Sequence, residues 1–169
     1  MANVLFTNVQ ILDGSGSQPY RGEVLIEGRR IRVVGMHLDL SGLRRRQQLR
    51  TILSHVGDCG PACPAVLMGD FNITVDDRDV WDPVALAGTI HCTPQERAHF
   101  HQLIELGLHD AYRLFEQPEK SYSWWDYREF AFRRNRGLRI DHILVSDALK
   151  PQVESCTIDK APRKNERPS

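Results

Sequence analysis

The chain has 169 residues, a length that suits one domain with a hydrophobic core and excludes two domains of ordinary size. Lysine and arginine total 22, as do aspartate and glutamate, so a nucleic-acid site would require local clusters of basic residues rather than a basic chain. No apolar run approaches the length of a membrane span, and the four irregularly spaced cysteines without a leader sequence predict a protein of the reducing cytoplasm.

The N-terminal part of the chain predicts a small β meander. Residues 3–12 are rich in β-branched and apolar residues, and a cluster of Gly and Ser residues ends this strand. A second strand is predicted over 23–27. Gly28-Arg29 then suits a hairpin turn into a third strand over 30–34.

This segment resembles part of a known family. It reads T-N-V-Q-I-L-D-G-S-G from residue 7 and R-G-E-V-L-I-E-G-R-R-I-R-V-V-G from residue 21, and it is similar to the N-terminal β segment of metal-dependent amidohydrolases. That family places a metal-binding His-x-His pair soon afterwards, whereas the first such pair here is His99 and His101, within a helical pattern. The resemblance implies an amidohydrolase-like segment over 1–35 without its metal site, joined to the rest of the chain between Gly28 and His37.

Two helices are predicted in the remaining chain. Ser41 is a suitable N-cap for the first, which has apolar residues at i, i+3, i+4 and i+7. This stripe consists of Leu49, Ile52, Leu53 and Val56. We expect the opposite side of the helix, with Arg44, Arg45 and Gln48, to be exposed to solvent. A capping box at 93–96 begins the second helix, and Gly107 ends it.

A short buried strand over 65–68 leads directly into the sequence G-D-F-N at 69–72. Asp70 and Asn72 are two positions apart, so an extended backbone places both side chains on one face. A carboxylate there can hold Mg²⁺ or act as a base, and an amide can donate to a phosphate oxygen. An Asp/Asn turn after a core strand explains the same four residues equally well.

Two further segments give weaker predictions. The acidic segment Asp76–Pro83 has no recognisable metal-loop spacing and is expected to be a surface connection. Residues 153–158 predict a weak strand near the C-terminus.

Residues 122–146 combine aromatic residues and arginines with an apolar strand that carries one carboxylate. Aromatic faces between guanidinium groups suit a nucleic-acid backbone and its unstacked bases. Asp141 lies in that strand, where burial is costly unless the carboxylate meets a cation or a metal. A solvated basic loop before a core strand is the alternative interpretation.

Several motifs in order resemble bacterial exodeoxyribonuclease III. They read G-D-F-N, D-R-D-V-W-D-P, C-T-P-Q-E-R, Y-S-W-W-D-Y-R and R-R-N-R-G-L-R-I-D, and they lie between residues 69 and 141. The resemblance implies the α/β fold of the endonuclease/exonuclease/phosphatase superfamily, a β-sandwich flanked by helices. It also implies a nuclease, a DNA-repair hydrolase that cleaves phosphodiesters at abasic sites or 3′ ends with Mg²⁺, or with Mn²⁺.

The resemblance also implies catalytic residues. Asp70 would activate the attacking water, Asn72 would steady it and the phosphate, and the two would bind the metal. Asp141 would orient a catalytic histidine or serve the metal site. His37 resembles the histidine of a T-H motif in the phosphatase and deoxyribonuclease I-like branch, although Met36 replaces the threonine.

Further residues are implied to bind DNA. Trp124, Leu138 and Ile140 would form an apolar pocket for an extrahelical abasic sugar, because such a slot excludes a nucleotide that carries a base. Arg128, Asn135 and Arg136 would hold flanking phosphates. The alternation of the stretch places Trp125 and Tyr127 on the other face, where we expect them in the core.

The resemblance leaves four functional hypotheses, one of which is a rearranged gene fusion that hardly functions. The superfamily's glutamate metal ligand and its terminal Asp-His have no counterpart in this sequence, so residues 36–169 are expected to form an incomplete domain of impaired activity. The first hypothesis is a DNA phosphodiester hydrolase. The alternatives are an inactive remnant that still binds DNA and a phosphatase-like phosphoesterase.

Overall fold

The computed structural model describes residues 4–11, 20–26, 31–57 and 63–164. The chain divides into two compact units, residues 1–32 and residues 33–169. In the described part of the chain, no helix is long and apolar enough to cross a membrane.

The first unit contains a two-stranded antiparallel sheet. Strand β1 spans Val4–Ile11 and pairs with strand β2, Tyr20–Ile26. Both strands agree with the prediction. The third predicted strand, over 30–34, overlaps an observed strand, but its place in the meander is wrong. Strand β3, Arg32–His37, belongs instead to a four-stranded sheet, because Val34 and Met36 pack on the main hydrophobic core. The predicted turn at Gly28-Arg29 lies outside the described residues.

The second unit is built on this four-stranded sheet. After β3, helix α1 spans Gly42–Gly57 and strand β4 spans Ala65–Asp70. Helix α2 (Pro94–Glu105) follows, with strand β5 (Leu108–Asp110) directly after it. A two-stranded ladder is formed by β6 (Trp124–Trp125) and β7 (Gly137–Leu138), and β8 spans Asp141–Ser146. The main sheet has the order β3-β4-β8-β5, and β8 is antiparallel to both β4 and β5.

The main hydrophobic core lies on one face of this sheet. Leu67 of β4 and Leu144 of β8 pack there with Phe100 of α2, and all three are fully buried. The apolar stripe of α1 joins the same core through Leu49 and Val56. Helices packed on a sheet confirm the predicted α/β class.

Arg45 corrects the prediction that the arginines of α1 are all solvated. Its side chain is fully buried, and its Nη2 donates to Oε1 of Glu96 at 2.7 Å. Arg45 precedes Leu49 by four positions and therefore lies on the stripe side of the helix. Glu96 is thereby drawn away from the predicted reciprocal capping box, of which only the bond from its backbone N–H to Oγ1 of Thr93 is formed.

The predicted strand at 153–158 is also wrong. Its backbone forms no ladder with the described strands. Val153 and Cys156 pack on the small cluster around Val145 and Leu149, so side-chain packing rather than strand pairing holds the segment.

Candidate active site

Two carboxylates face each other at the ends of neighbouring strands. Asp70 closes β4 and Asp141 opens β8, and the antiparallel register places them directly opposite each other. Opposed residues of an antiparallel pair have side chains on the same face of the sheet. The backbone N–H of Phe71 donates to the carbonyl of Ile140 at 2.9 Å, which continues the ladder past the pair.

His37 lies beside this pair at the end of β3. Its Nε2 is 3.7 Å from Oδ2 of Asp70, and its side chain is 77% exposed. The N–H of Leu38 donates to the carbonyl of Asp70 at 2.8 Å, which fixes the end of β3 against the end of β4. Three adjoining strands therefore bring His37, Asp70 and Asp141 to one edge of the sheet.

Asn72 forms a tight turn directly after Asp70. Its backbone has a φ of 53°, and its N–H donates to Oδ1 of Asp70 at 2.7 Å. The buried side chain donates from Nδ2 to the carbonyl of Leu38 at 2.7 Å. The Asp/Asn turn is thus present, and the same turn holds Asp70 in place beside Asp141.

Gly69 allows β3 and β4 to approach at this point. Its φ is 137°, and an added Cβ would lie 1.9 Å from the carbonyl oxygen of Met36. No side chain fits there, so the glycine of G-D-F-N is required by backbone packing next to His37.

The pKa of the Asp141 carboxyl is raised above its ordinary value. Partial desolvation is the main cause, and the negative charge of Asp70 adds to it, while a hydrogen bond from Ser123 opposes both. Adjacent carboxylates of this kind favour a cation between them. Mg²⁺ is commonly held by one or two carboxylates together with water and substrate phosphate oxygens, so Asp70 and Asp141 fit that ion.

No larger metal cluster surrounds this pair in the part of the chain that the structure describes. There, no group of three or more His, Cys, Asp or Glu residues is placed to hold a metal ion. A metal at Asp70 and Asp141 would therefore depend on other oxygen donors, such as water, an amide or a phosphate.

His91 connects Asn72 to a neighbouring cavity. Its Nδ1 is 3.1 Å from the carbonyl oxygen of Asn72, which can only accept, so Nδ1 carries the proton. Thr74 donates to the His91 carbonyl from its N–H at 2.9 Å and from its hydroxyl at 2.8 Å. Desolvation lowers the pKa of His91, although the bond to Asn72 opposes the shift. The neutral imidazole is therefore rigidly placed.

The cavity beside His91 has a volume of about 510 Å³. Trp124 and Leu138 are register partners of the β6–β7 ladder, and both line it. The imidazole ring of His91 lies 6.1 Å from the ring of Trp124. Ile140 does not line the cavity but is buried in the cluster behind Leu138. The predicted pocket residues are thus neighbours, and His91 shares their cavity.

Of the predicted phosphate-binding residues, two reach this cavity. Arg128 and Arg136 line it. Arg128 is exposed and pairs with Asp126, and hydrogen bonds from Arg128 lower the pKa of Asp126 to about 2. The guanidinium of Arg136 lies 4.9 Å from the ring centre of Trp81.

Asn135 lies away from the cavity lining. Its Oδ1 accepts from Nε1 of Trp125 at 3.3 Å, and its Nδ2 donates to the carbonyl of Lys120 at 2.9 Å. These contacts hold the chain at Asn135 against the buried Trp125. In this structure Asn135 therefore holds the chain, and a phosphate contact would require these bonds to change.

The two predicted core aromatics differ. Trp125 is buried as expected, but Tyr127 is 70% exposed and the prediction for it is wrong. The strand alternation stops at Asp126, whose Oδ1 accepts from the N–H of Arg128 at 2.8 Å and turns the chain.

Asp79 overturns the prediction that Asp76–Pro83 is only a surface connection. Its side chain is fully buried and accepts two hydrogen bonds from Arg139, from Nε at 2.7 Å and from Nη2 at 3.1 Å. The same Nη2 donates to Asp110 at 2.7 Å, and Arg113 also pairs with Asp79. Burial alone lowers the pKa of Arg139, but its bonds and charge interactions with the two carboxylates outweigh burial and raise it.

Sequence reasoning missed His91 and Asp79 for different reasons. His91 is a lone histidine in a loop, and no periodicity distinguishes it. For Asp79 one signal was available, because an arginine between the apolar residues Leu138 and Ile140 needs an acidic partner when it is buried.

Comparison with known proteins matches residues 4–169 to the model of the endonuclease/exonuclease/phosphatase family. The chain belongs to this family. The match includes most of residues 1–35, and the amidohydrolase resemblance of that segment gains no support from it.

Relatives within the family include nucleases of several organisms. An exodeoxyribonuclease of Bacillus subtilis (strain 168) is 36% identical over 115 residues, which are 68% of this chain and 46% of that protein. The chain thus spans less than half the length of this relative.

Solved structures of family members share the fold. The 3′ phosphatase NExo from Neisseria, bound to a product DNA hairpin, has a TM-score of 0.73 and 34% identity, and the match covers 95% of this chain and 66% of that one. An AP endonuclease from Archaeoglobus fulgidus has a TM-score of 0.70 and 26% identity, with 82% and 58% covered.

Proposed function

We propose that this family member hydrolyses phosphate esters in DNA, with Asp70 and Asp141 at the reacting phosphate. The observation that carries the proposal is the opposition of these two carboxylates at strand ends, next to His37. The exodeoxyribonuclease from Bacillus subtilis and the DNA-bound 3′ phosphatase from Neisseria support DNA as the substrate and partner.

The residues of the site have separate roles in this proposal. The backbone N–H of Asn72 fixes Oδ1 of Asp70 by a hydrogen bond, and Oδ2 of Asp70 is the oxygen nearest to His37. We assign Oδ2 to the attacking water, as the atom that orients it and takes up its proton. His37, which is exposed beside Asp70, donates a hydrogen bond to a phosphate oxygen, or it accepts from Asp70 the proton that came from the water.

Asp70 and Asp141, with the amide of Asn72 nearby, would hold Mg²⁺ or Mn²⁺. The bound ion supplies Lewis-acid stabilisation of the negative charge that develops on the phosphate. Arg128 and Arg136, at the edge of the adjacent cavity, contact phosphates on either side of the reacting one. Asn135 contacts a phosphate in this proposal only in a DNA-bound state in which its Nδ2 no longer donates to the carbonyl of Lys120.

We propose a 3′ end rather than an abasic site as the preferred substrate. Trp124 and Leu138, backed by Ile140, form the apolar wall that would take an extrahelical sugar. The imidazole of His91 lies against Trp124 and is fixed by its bond to Asn72, so it reduces the space that such a sugar needs. Abasic-site incision is the second candidate, supported by the apolar wall itself.

A hydrolysis assay with three labelled duplexes tests the proposal. One carries a 3′ phosphate, one has a plain recessed 3′ end, and one has an internal tetrahydrofuran abasic analogue, each with Mg²⁺. We expect release at the 3′ ends to exceed abasic incision, and His91→Gly to raise abasic incision. Asp70→Asn is expected to abolish hydrolysis, while Glu105→Gln, an exposed acidic residue of α2, leaves it unchanged.

Other outcomes of this assay select the alternative functions. Salt-sensitive DNA binding without hydrolysis indicates an inactive DNA-binding protein. Faster turnover of a small aryl phosphodiester than of DNA indicates a phosphatase-like enzyme.

We also propose that residues 36–169 carry the catalytic part and that residues 1–35 are a separate segment, apart from the part of β3 that pairs in the main sheet. Limited proteolysis that removes the chain before β3 while hydrolysis persists is the expected result. Loss of hydrolysis upon that cleavage contradicts the division.

A further inference from the structure

A second, smaller cavity lies next to the candidate cavity, on the loop after β6. It has a volume of about 190 Å³ and shares Asp126 and Ala131 with the larger one. Its lining includes two exposed aromatic rings, of Tyr127 and Phe130, and two guanidinium groups, of Arg133 and Arg163. We call these four residues the aromatic platform.

The two rings of the platform are unusually exposed. Tyr127 is 70% and Phe130 is 66% exposed to solvent. Leaving large aromatic rings in water forgoes the free energy that their burial would supply, so exposed rings grouped together indicate a binding surface.

The backbone of the platform is also held in an uncommon conformation. Glu129 and Phe130 have φ values of 56° and 53°, in the left-handed region that bulky side chains rarely adopt. Four residues later, the N–H of Arg134 bonds to the carbonyl of Phe130 at 3.0 Å and closes the turn. The strained turn projects Phe130 outwards instead of into the core.

Each ring is accompanied by a cation. The guanidinium of Arg133 lies 5.6 Å from the ring centre of Phe130, and that of Arg163 lies 4.6 Å from the ring centre of Tyr127. Arg163 also donates to the hydroxyl of Tyr127 at 2.9 Å and to the carbonyl of Trp125 at 2.8 Å. The platform is therefore anchored on one side and open on the other.

We propose that the aromatic platform binds an unpaired nucleobase next to the reacting phosphate, as part of a single-stranded DNA segment. Exposed rings provide stacking faces for any base, and Arg133 and Arg163 provide charge for its phosphates. The wall shared with the larger cavity makes the platform continuous with the site assigned to the reacting strand. This inference rests on the proposed function, because that function places DNA in the larger cavity.

Fluorescence anisotropy in EDTA tests the platform without hydrolysis. The probes are fluorescein-labelled duplexes with a single-stranded extension of four thymidines or of four abasic linkers, so the phosphates are equal and only the bases differ. We expect the wild-type chain to bind the thymidine extension about tenfold more tightly, in line with the usual effect of base stacking.

Variants separate stacking from charge and from folding. Phe130→Leu is expected to lower the affinity for the thymidine extension to that for the abasic extension, without weakening binding of the abasic extension. Arg163→Lys keeps the charge but loses the planar contact with Tyr127, and it is expected to reduce the preference for bases. Leu43→Ala and Arg50→Lys, both at exposed positions of α1, are matched controls that retain the preference.

Two results would overturn the proposal that the platform binds a base. One is equal binding of both extensions by the wild type, and the other is an unchanged preference for the thymidine extension in Phe130→Leu. The Mg²⁺ assay gives an independent answer on the proposed function. Hydrolysis without a base preference contradicts the platform alone, whereas a base preference without hydrolysis supports the platform and contradicts the proposed function.

Discussion

Asp70 and Asp141 lie directly opposite each other on antiparallel strands β4 and β8. The pair is formed by residues 71 positions apart in the sequence, and the sheet brings them together. Its electrostatic consequence is the raised pKa of Asp141, to which the charge of Asp70 contributes.

The first prediction concerns that pKa. Asp70→Asn removes a neighbouring negative charge, so the pKa of Asp141 is expected to fall towards its ordinary value without regaining it fully, because desolvation remains. Carboxyl-carbon NMR titration without metal measures it. A pKa of Asp141 that does not change in Asp70→Asn would show that the two carboxylates do not interact.

The second prediction concerns acid stability. Burial lowers the pKa of His142 to about 4, and its Nε2 lies 2.8 Å from the carbonyl oxygen of Ile73. Below the ordinary pKa of 6.5 the unfolded chain binds the proton and the folded chain does not, so the free energy of unfolding falls from about pH 6.5 to pH 4. The loss is on the order of 3 kcal/mol.

Urea unfolding at a series of pH values measures this loss. His142→Gln keeps a donor for the Ile73 carbonyl but does not titrate, so its stability is expected to change much less over the same range. His101→Gln, an exposed histidine of α2, is the control and should retain the wild-type pH dependence. Equal pH dependence in all three proteins would contradict the prediction.

The third prediction concerns the buried ion pair. Asp79→Asn leaves Arg139 buried without its bidentate partner, so we expect a loss of about 3–5 kcal/mol in the free energy of unfolding. Replacing both residues, as in the double variant Asp79→Asn and Arg139→Met, is expected to cost less than the sum of the single changes. Chemical denaturation of the four proteins gives the coupling, and strict additivity would show that the pair is not coupled.

The fourth prediction concerns the approach of β3 to β4. Gly69→Ala places a Cβ against the Met36 carbonyl and strains a backbone with φ of 137°, so a loss of at least about 2 kcal/mol is expected. Gly35→Ala, on β3, meets no atom within 4 Å and should change stability by less than about 1 kcal/mol. Thermal unfolding compares the two. Similar melting temperatures for both variants would contradict the required close approach.

The sequence predicts local features of this chain better than contacts between distant segments. The strand before Asp70 and the stripe of α1 follow from periodicity, which short-range geometry dictates. Local patterns place Arg45 and Asp79 on the surface, because their buried partners, Glu96 and Arg139, are 51 and 60 positions away in the sequence. Tyr127 was placed in the core because the turn at Asp126 breaks an alternation that looks continuous in the sequence.

The candidate site shows the same division. The motif G-D-F-N identifies Asp70 and Asn72, the carboxylate in an apolar strand identifies Asp141, and the resemblance added His37. His91 could not be predicted, because its position depends on a bond to the carbonyl of Asn72 and a bond from Thr74, and no local sequence pattern indicates either.

The most direct test of the account is a double-mutant cycle on DNA hydrolysis with Asp70→Asn, Asp141→Asn and the double variant, on the 3′-phosphate duplex with saturating Mg²⁺. If the two carboxylates act as one unit, either single change removes nearly all activity and the double variant is no slower than the worse single variant. Independent, additive losses, or full activity in Asp141→Asn, would contradict the central claim that Asp70 and Asp141 together form the reacting site.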